Sequence, residues 1–528
     1  MKLLSTVCAR ALLCAVAVES HAVDFKARAR TQVGFGVGDV YLTNKITTSK
    51  GIREKANRND RFAARSRILF WLDAAVSENL SGTIQLHIGP TQWGNAATGG
   101  ALGADSADII KLRQAYIDFL VPDTTWRTRM GIQTFSLPAA AGSSVIFDAS
   151  HAAAVNTHFQ FNDNVGLTAL WWRPLNDNYN PANPSDSPNL NGDPANYLDN
   201  MDLFTLTVPI TFDGFSVTPW AMYGINGRNS GNFLTDRNNG LRDGAPDVTL
   251  TPWLDRVAST GRWGGQGLNA SNFGGTSKPY GSLFWAGLPI KLSMLEPWNF
   301  ELDLNYGYVE EMGRFDVMKR NNPGDVVRGS TQRQGFVAKA LVEYKMDWGV
   351  PGIFGWYGSG DDGNPKNGSE RMPSYVGGWS LTSFMGHGNL GWGVSGDYMD
   401  KNRVLDGTWG VGLQVRDVSF VDKLTHTLRA AWWGGTNSPS MVKYMTSAYA
   451  WESGTNLFDG PYMTTNDGLL EINMINVYKM YENLSVNLEL GYIANFYDND
   501  TWKKDYQNFG SYQKQDAWKA QLVFSYDF

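Results

Sequence analysis

The chain contains almost no cysteine. Only two of its 528 residues are cysteines, Cys8 and Cys14, and both lie near the N-terminus. The first 22 residues combine a basic start, a short apolar core at residues 11–18 and small residues before position 23, which predicts a secretory signal peptide cleaved after Ala22. Residues 23–528 have no cysteine at all. Disulfide bonds and thiol chemistry are therefore excluded from the predicted mature protein.

Long apolar runs and catalytic motifs are also missing. No later segment reaches the about 20 apolar residues that a membrane-spanning helix needs. The six histidines show no metal-ligand spacing, and there is no glycine-rich phosphate loop, nucleophile elbow or paired-acid motif. The acidic loop Gly360–Asn364 lacks a full calcium ligand spacing. We predict a protein that is not an enzyme and has no metal, cofactor or nucleic-acid partner, although residues distant in sequence could still form a catalytic set in the folded chain.

Aromatic residues are abundant, and the C-terminus shows how they are arranged. They make up 13% of the chain, including 20 tryptophans. In the last eleven residues, 518–528, every even position is apolar or aromatic, and the odd positions are polar except Val523. This period of two places the two sets on opposite faces of a β-strand. Residues 23–37 alternate in the same way, so both ends of the predicted mature chain are strands.

Short turns and long polar loops follow each other along the chain. Eight short turns are predicted, at residues 77–80, 122–123, 162–164, 213–214, 296–299, 347, 421–423 and 482–483. Each turn joins two strands, and the first and last strands bring the number to 18, or 16 without the weak pair around Asn162. Loops as long as 175–200, 224–281 and 358–407 are typical of the outer side of a membrane barrel. We predict one transmembrane antiparallel β-barrel, all-β, over residues 23–528.

Basic residues are concentrated on the polar face of the first five predicted strands. The register of the fourth strand stays open, because Gln114 and Asp118 share a face with Tyr116. Later strands are more acidic, as at Glu301 and Asp303. The candidate residues of a pore constriction are Arg28, Arg30, Arg65, Arg67, Arg113, Arg129 and Asp148. The alternative interpretation is a solvated strand face that only keeps the lumen wet.

The order of several motifs resembles a known family. They are AARSRILFWLDAAVSENL at residues 63–80, RQAYIDF at 113–119, MGIQ at 130–133 and GLTALWWRP at 166–174. Together with the two ends of the chain, they resemble the homotrimeric outer-membrane porins of sulfate-reducing deltaproteobacteria. Phe524, Tyr526 and Phe528 resemble the C-terminal assembly signal of Gram-negative outer-membrane barrels.

The resemblance implies a homotrimer in the outer membrane of a Gram-negative bacterium. Each barrel would have its own water-filled pore for small hydrophilic solutes and ions, and its partners would be outer-membrane lipid and the barrel-assembly machinery. It also implies that the third long loop, Thr134 to about Ala152, folds into the barrel lumen. This chain departs from the pattern because the loop has a single acid, Asp148, where many such porins carry several.

Three functions remain open from the sequence. The first is a channel for passive diffusion with a weak preference for anions, since the basic lumen residues lie closer to a passing ion than the acids that make the net charge −6. The second is a channel selective for a sugar or an oxyanion. The third is an exported soluble carbohydrate-binding β-protein, in which aromatic rings would stack on sugars.

Overall fold

The computed structural model shows an antiparallel β-sheet that closes on itself. It describes residues 23–39, 42–49, 52–55, 62–94, 110–148, 150–176, 200–227, 278–312, 314–319, 322–375, 382, 405–444, 463–503 and 512–528. The predicted signal peptide, residues 1–22, lies outside the described residues. No helix in these ranges has the length and apolar character needed to cross a bilayer.

The sheet has 20 hydrogen-bonded segments, and two pairs of them are halves of one interrupted strand, which leaves eighteen strands. They are β1 (Asp24–Asp39), β2 (Ala63–Ser77), β3 (Leu80–Gln92), β4 (Ile110–Leu120), β5 (Trp126–Phe135), β6 (Ser150–Gln160), β7 (Gly166–Asn176), β8 (Asn200–Thr207 and Ile210–Phe212), β9 (Phe215–Val217 and Trp220–Gly227), β10 (Tyr280–Leu292), β11 (Trp298–Val309), β12 (Arg333–Tyr344), β13 (Val350–Gly358), β14 (Thr408–Val421), β15 (Leu424–Gly435), β16 (Gly468–Lys479), β17 (Leu484–Asn495) and β18 (Ala517–Asp527). The last strand pairs with the first, from Arg30 opposite Asp527 to Asp39 opposite Trp518. The predicted 18-stranded antiparallel barrel is confirmed.

Prolines cause the two interruptions. Pro209 divides β8 and Pro219 divides β9. A proline has no N–H group to donate to a neighbouring strand, so the ladder breaks at each. The carbonyl groups of both prolines still accept hydrogen bonds, from Gly166 N at 3.1 Å and from Val208 N at 2.9 Å. The strands therefore bend without leaving the sheet.

All short connections lie at one end of the barrel, and all eight occur where the sequence predicts them. The β6–β7 turn shows the chemistry of such a connection, because Asn162 Oδ1 accepts hydrogen bonds from the N–H groups of Asn164 and Val165, both at 2.9 Å. Other turns use positive φ angles, as at Gly214 (φ 67°) and Lys423 (φ 63°). Long loops connect the strands at the opposite end.

The described parts of the long loops contain short elements of their own. These are a hairpin of Thr43–Ser49 and Ile52–Lys55, a hairpin of Arg314–Lys319 and Asn322–Ser330, the strand Tyr512–Lys514, the 3₁₀-helix Pro439–Tyr444 and the α-helix Asn499–Lys503. Buried charges fasten several loops together. Arg333 at the start of β12 and Arg371 after β13 both donate to Asp406 Oδ2 at 2.8 Å. All three side chains are fully buried, so this end of the barrel is partly covered by packed loop segments.

Candidate pore constriction

The two faces of the barrel have opposite chemistry. Large apolar side chains project outward, such as Phe25 (68% exposed) and Leu413 (64% exposed). Polar and charged side chains lie on the inner face, among them Gln32, Gln85, Asp118, Lys339, Glu343, Gln414, Glu489 and Gln521. A water-soluble protein has the reverse arrangement. Much of the inner wall is thus polar, whereas the outer surface of the barrel is apolar.

The third long loop crosses this lumen, as the resemblance implies. We call its described part, residues 136–148, L3. At its tip Ala141 and Gly142 both adopt positive φ angles, of 48° and 97°. The Ala141 N–H donates to Glu301 Oε2 on β11 at 2.7 Å. Lys339 Nζ on β12 donates to the Ser143 carbonyl at 2.5 Å. L3, which follows β5, is therefore tied to β11 and β12, six and seven strands further along the chain.

Aromatic packing holds the rest of L3 against one wall. The Phe147 ring lies 4.7 Å from the ring of Trp172 on β7, and Trp172 lies 5.3 Å from Tyr375. The Tyr375 N–H also donates to the Ile146 carbonyl at 3.0 Å. These side chains belong to the hydrophobic core of the molecule, which lies inside the barrel rather than between layers. L3 thus covers the inner wall on the side of β7–β12.

Among the candidate arginines, two lie on β1 near the end with short turns. Arg28 Nε is 3.5 Å from Asp73 Oδ2, and its guanidinium lies 4.8 Å from the Trp71 ring centre. Arg30 binds Asp527 with two hydrogen bonds, at 2.6 and 3.2 Å. Both arginines remain about half exposed. Their charges are partly balanced by these acids.

Arg129 on β5 is held more tightly. It binds Asp118 at 2.7 Å and lies over the Tyr116 ring at 4.3 Å. Arg127 binds the other oxygen of the same carboxylate at 2.5 Å. Asp118 is 2% exposed. Tyr116, Asp118 and Arg129 all lie on the lumen side, which resolves the register of the fourth strand in this part.

Arg65, Arg67 and Arg113 lie nearer the end with long loops. Arg65 stands opposite Gly34 on β1, and Arg67 Nε donates to Gln32 Oε1 at 2.7 Å. Arg113 occupies a β-bulge, because Gln85 pairs with Gln114 while the adjacent Leu86 pairs with Leu112. The bulge brings Arg113 toward the inner face beside Gln114. This irregularity explains why simple alternation fails in β4.

Asp148 lies at the end of L3, partly buried, and its charge acts on the ammonium group of Lys339. The candidate residues are thus spread along the inner wall. Arg28 and Arg30 lie near the short turns, whereas Arg65, Arg67 and Arg113 lie nearer the long loops, and Asp148 is the single acid on L3. The structure brings Arg127 and Arg129 together, and it separates Arg28 and Arg30 from Arg113 along the barrel axis.

Several cations on the later strands were not predicted from the sequence. Asp303 is paired with Lys339 at 3.1 Å, Glu343 with Arg416 at 2.6 Å, and Glu489 with Lys519 at 2.9 Å. The expected acidic wall is therefore largely neutralised by its own neighbours. Lys339 and Glu343 both fall on the inward positions of β12, so alternation could have placed them in the lumen. Their partners depend on strand pairing, which alternation does not provide.

An acidic cluster lies in the loop after β13. The carboxylate oxygens of Asp361, Asp362 and Glu370 lie within 4.8 Å of one another. Each accepts a backbone N–H of the loop itself: Asp361 from Gly363 at 2.7 Å, Asp362 from Asn364 at 2.6 Å and Glu370 from Asp362 at 3.1 Å. The acids therefore shape this loop.

No family profile matches the chain, and no curated protein is significantly similar to it. Solved structures with a similar course of the chain include three bacterial proteins. OpdL of Pseudomonas aeruginosa is 11% identical, with a TM-score of 0.46 over 96% of this chain and 99% of that chain. The outer-membrane protein opdK of the same organism is 8% identical, with a TM-score of 0.46 over 96% and 98%. A loop-deletion variant of OmpT, an outer-membrane protein of Vibrio cholerae, is 8% identical, with a TM-score of 0.38 over 96% and 100%.

Proposed function

We propose that this chain forms a water-filled channel in the outer membrane of a Gram-negative bacterium, through which small hydrophilic solutes and ions diffuse passively. One observation carries the proposal: a closed barrel has an apolar outer surface and a polar, charged inner surface. In lipid every backbone group must find a partner within the protein, and a closed barrel meets that condition. Barrels of 16–18 strands are wide enough to leave an aqueous channel.

The constriction is formed by L3 and the basic inner wall. L3 reduces the lumen from one side through its bonds to Glu301 and Lys339. The candidate arginines of β1, β2, β4 and β5 face the space that L3 leaves. Because charges in a narrow site are less screened by solvent than charges on outer loops, these arginines give the channel a weak preference for anions.

The proposal includes an assembly of three barrels. It is supported by the sequence resemblance to the homotrimeric porins of sulfate-reducing deltaproteobacteria. Export through a signal peptide ending at Ala22 and insertion by the barrel-assembly machinery belong to the same proposal. Intact mass of the membrane-extracted protein measures the cleavage site, and mass photometry of the native detergent complex measures the number of subunits.

The experiment that tests the channel is reconstitution into planar lipid bilayers in KCl. We expect stepwise conductance increases that are linear with voltage at low potential. Protein denatured by boiling before addition is the control and should give none. A purified, folded protein that stays monodisperse in detergent-free buffer and never raises bilayer conductance would contradict the proposal and favour a soluble binding protein.

A further inference from the structure

His87 is buried on the inner face of β3, and its ring makes no hydrogen bond to the residues that the structure describes. Its side chain is 4% exposed, and within the described part of the chain neither ring nitrogen has a hydrogen-bond partner. Buried polar groups in native proteins are almost always hydrogen-bonded, and an exception points to a missing water or ligand. A neutral imidazole always has one N–H to donate. The ring therefore needs an acceptor from outside the described protein.

Arg113 lies two residues from Lys111, the β4 partner of His87, and binds no acid among the described residues. It is partly buried, and no hydrogen bond or ion pair connects it to another described residue. Arg28, Arg30 and Arg129 on the same half of the barrel all bind a carboxylate. Removing a guanidinium from water without a counter-charge is costly. The N–H donors of Arg113 are thus available, and its partial burial favours binding of a negatively charged acceptor.

Two further cations complete the set. Lys111 on β4 stands directly opposite His87. On the other side His87 faces Leu69 of β2, and Arg67 is the next inward residue of that strand. The positive charges of Arg113, Arg67 and Lys111 all act on the His87 ring. We call His87, Arg113, Lys111 and Arg67 the basic cluster.

We propose that the basic cluster is a binding site for a small oxyanion in transit, which makes the channel selective for solutes carrying a carboxylate, phosphate or sulfate group. This inference rests on the proposed channel function and names the class of solute. The anion accepts the N–H of His87 and two N–H groups of the Arg113 fork, whose geometry matches an oxyanion. Lys111 and Arg67 supply charge that attracts it into the lumen.

The test compares anion block in single channels. In planar bilayers containing KCl, sodium acetate, sodium phosphate or sodium sulfate is added to wild type, and we expect a saturable fall in current. In Arg113→Gln the half-blocking concentration should rise about tenfold or more, because a hydrogen bond to a charged group contributes about 1.5–3 kcal/mol. Arg127→Gln is the matched control, since Arg127 lies on the same half of the barrel but is engaged by Asp118. Its block should equal that of wild type.

The outcomes separate the possible failures. Block by acetate alone assigns the site to carboxylates, and block by all three salts assigns it to oxyanions in general. Unsaturable block in wild type, or equal loss in Arg113→Gln and Arg127→Gln, would overturn the basic cluster while leaving the channel intact. An absence of channels in wild type would instead overturn the proposed function. If Arg113→Gln does not assemble, phosphate titrated into wild type in detergent decides, since linear uptake without saturation contradicts the site.

Discussion

At the scale of single residues, the lumen is a place where charges are buried in pairs. Lys339 and Asp303 are both fully buried and 3.1 Å apart. Lys339 also donates to the Ser143 carbonyl of L3. Removing one member of such a pair leaves an uncompensated buried charge, whereas replacing both by apolar residues is often neutral. The pair thus links the stability of the wall to the position of L3.

We expect Lys339→Met to lower the free energy of unfolding by about 3–5 kcal/mol, because Asp303 stays behind as a buried charge. The double variant Lys339→Met with Asp303→Leu should recover most of this loss. Tryptophan fluorescence during denaturation of detergent-solubilised protein measures both. Lys291→Met is the control, because the Lys291 side chain is half exposed and its Nζ lies 3.9 Å from Glu301. Ion pairs with an exposed member contribute about 0–1 kcal/mol. A double variant as unstable as the single one would mean that the tether to L3, and not the charge, is what matters.

At the scale of elements, the joint between β1 and β18 decides whether the sheet is closed. Phe528 exchanges two backbone hydrogen bonds with Ala29, of 2.7 and 2.9 Å. Its ring stacks on Tyr526 at 5.1 Å. An open strand edge in lipid leaves backbone groups unbonded at several kcal/mol each. The last residue of the chain therefore takes part in closure.

Deleting Phe528 should prevent assembly into the membrane. Heat-modifiable migration on gels is the measurement, since a folded barrel migrates differently before and after boiling. Asp527→Asn keeps the backbone bonds and weakens only the ion pair to Arg30, so this control should assemble normally. Normal membrane levels of folded protein from the truncated chain would show that closure does not depend on its last residue.

The hydrogen bond from the Ala141 N–H to Glu301 holds the tip of L3 against β11. Glu301→Ala removes the acceptor of the Ala141 N–H and should loosen the tip of L3 without altering the barrel wall. We expect noisier open-channel current and a conductance raised by up to about twofold, because an 18-stranded barrel without an inserted loop leaves a wide aqueous lumen. Asn299→Ala controls for the loss of side-chain hydrogen bonds on β11. Asn299 donates to Glu343 at 3.0 Å and to Glu301 Oε1 at 3.4 Å, whereas Glu301 Oε2 still accepts the Ala141 N–H in this variant. Unchanged conductance and noise in Glu301→Ala would mean that packing around Phe147 is enough to fix L3.

The strands and turns could be predicted from the sequence, but the side-chain contacts between strands could not. Turn residues and period-two alternation are local, so the eight turns, the eighteen strands and the outward face of residues such as Phe524 could be predicted. The pairing of Asp303 with Lys339 depends on register between strands 36 residues apart in sequence, and the bulge at Arg113 breaks the local period. The entry of L3 into the lumen came only from the resemblance, because its apolar residues alone do not show which wall they contact.

At the scale of the whole molecule, the net charge and the lumen point in opposite directions. The chain carries −6, yet the inner wall of the first five strands is rich in arginine. Screening extends over about 8 Å at physiological ionic strength and about 3 Å at 1 M. Acids on outer loops are therefore largely hidden from an ion at the constriction.

We expect the zero-current potential across a KCl gradient to indicate a weak anion preference that grows as the salt concentration falls. Replacing Arg65 and Arg67 together by Gln should move the ratio toward cations, because both lie on the inner wall. The matching control is Lys423→Gln in a short turn at the end of the barrel. Potassium selectivity in wild type, or an unchanged ratio in the double variant, would remove these arginines from the constriction.

The bulge at Arg113 has a consequence for how such a barrel can change over time. Inserting a residue into a strand normally exchanges its two faces from that point on. Here the extra residue is absorbed locally, so Leu112 before it still faces lipid and Tyr116 after it still faces the lumen. A single inserted codon can thus add a cation to the pore while every lipid-facing side chain keeps its place. Ion selectivity can evolve in this way by insertion as well as by substitution.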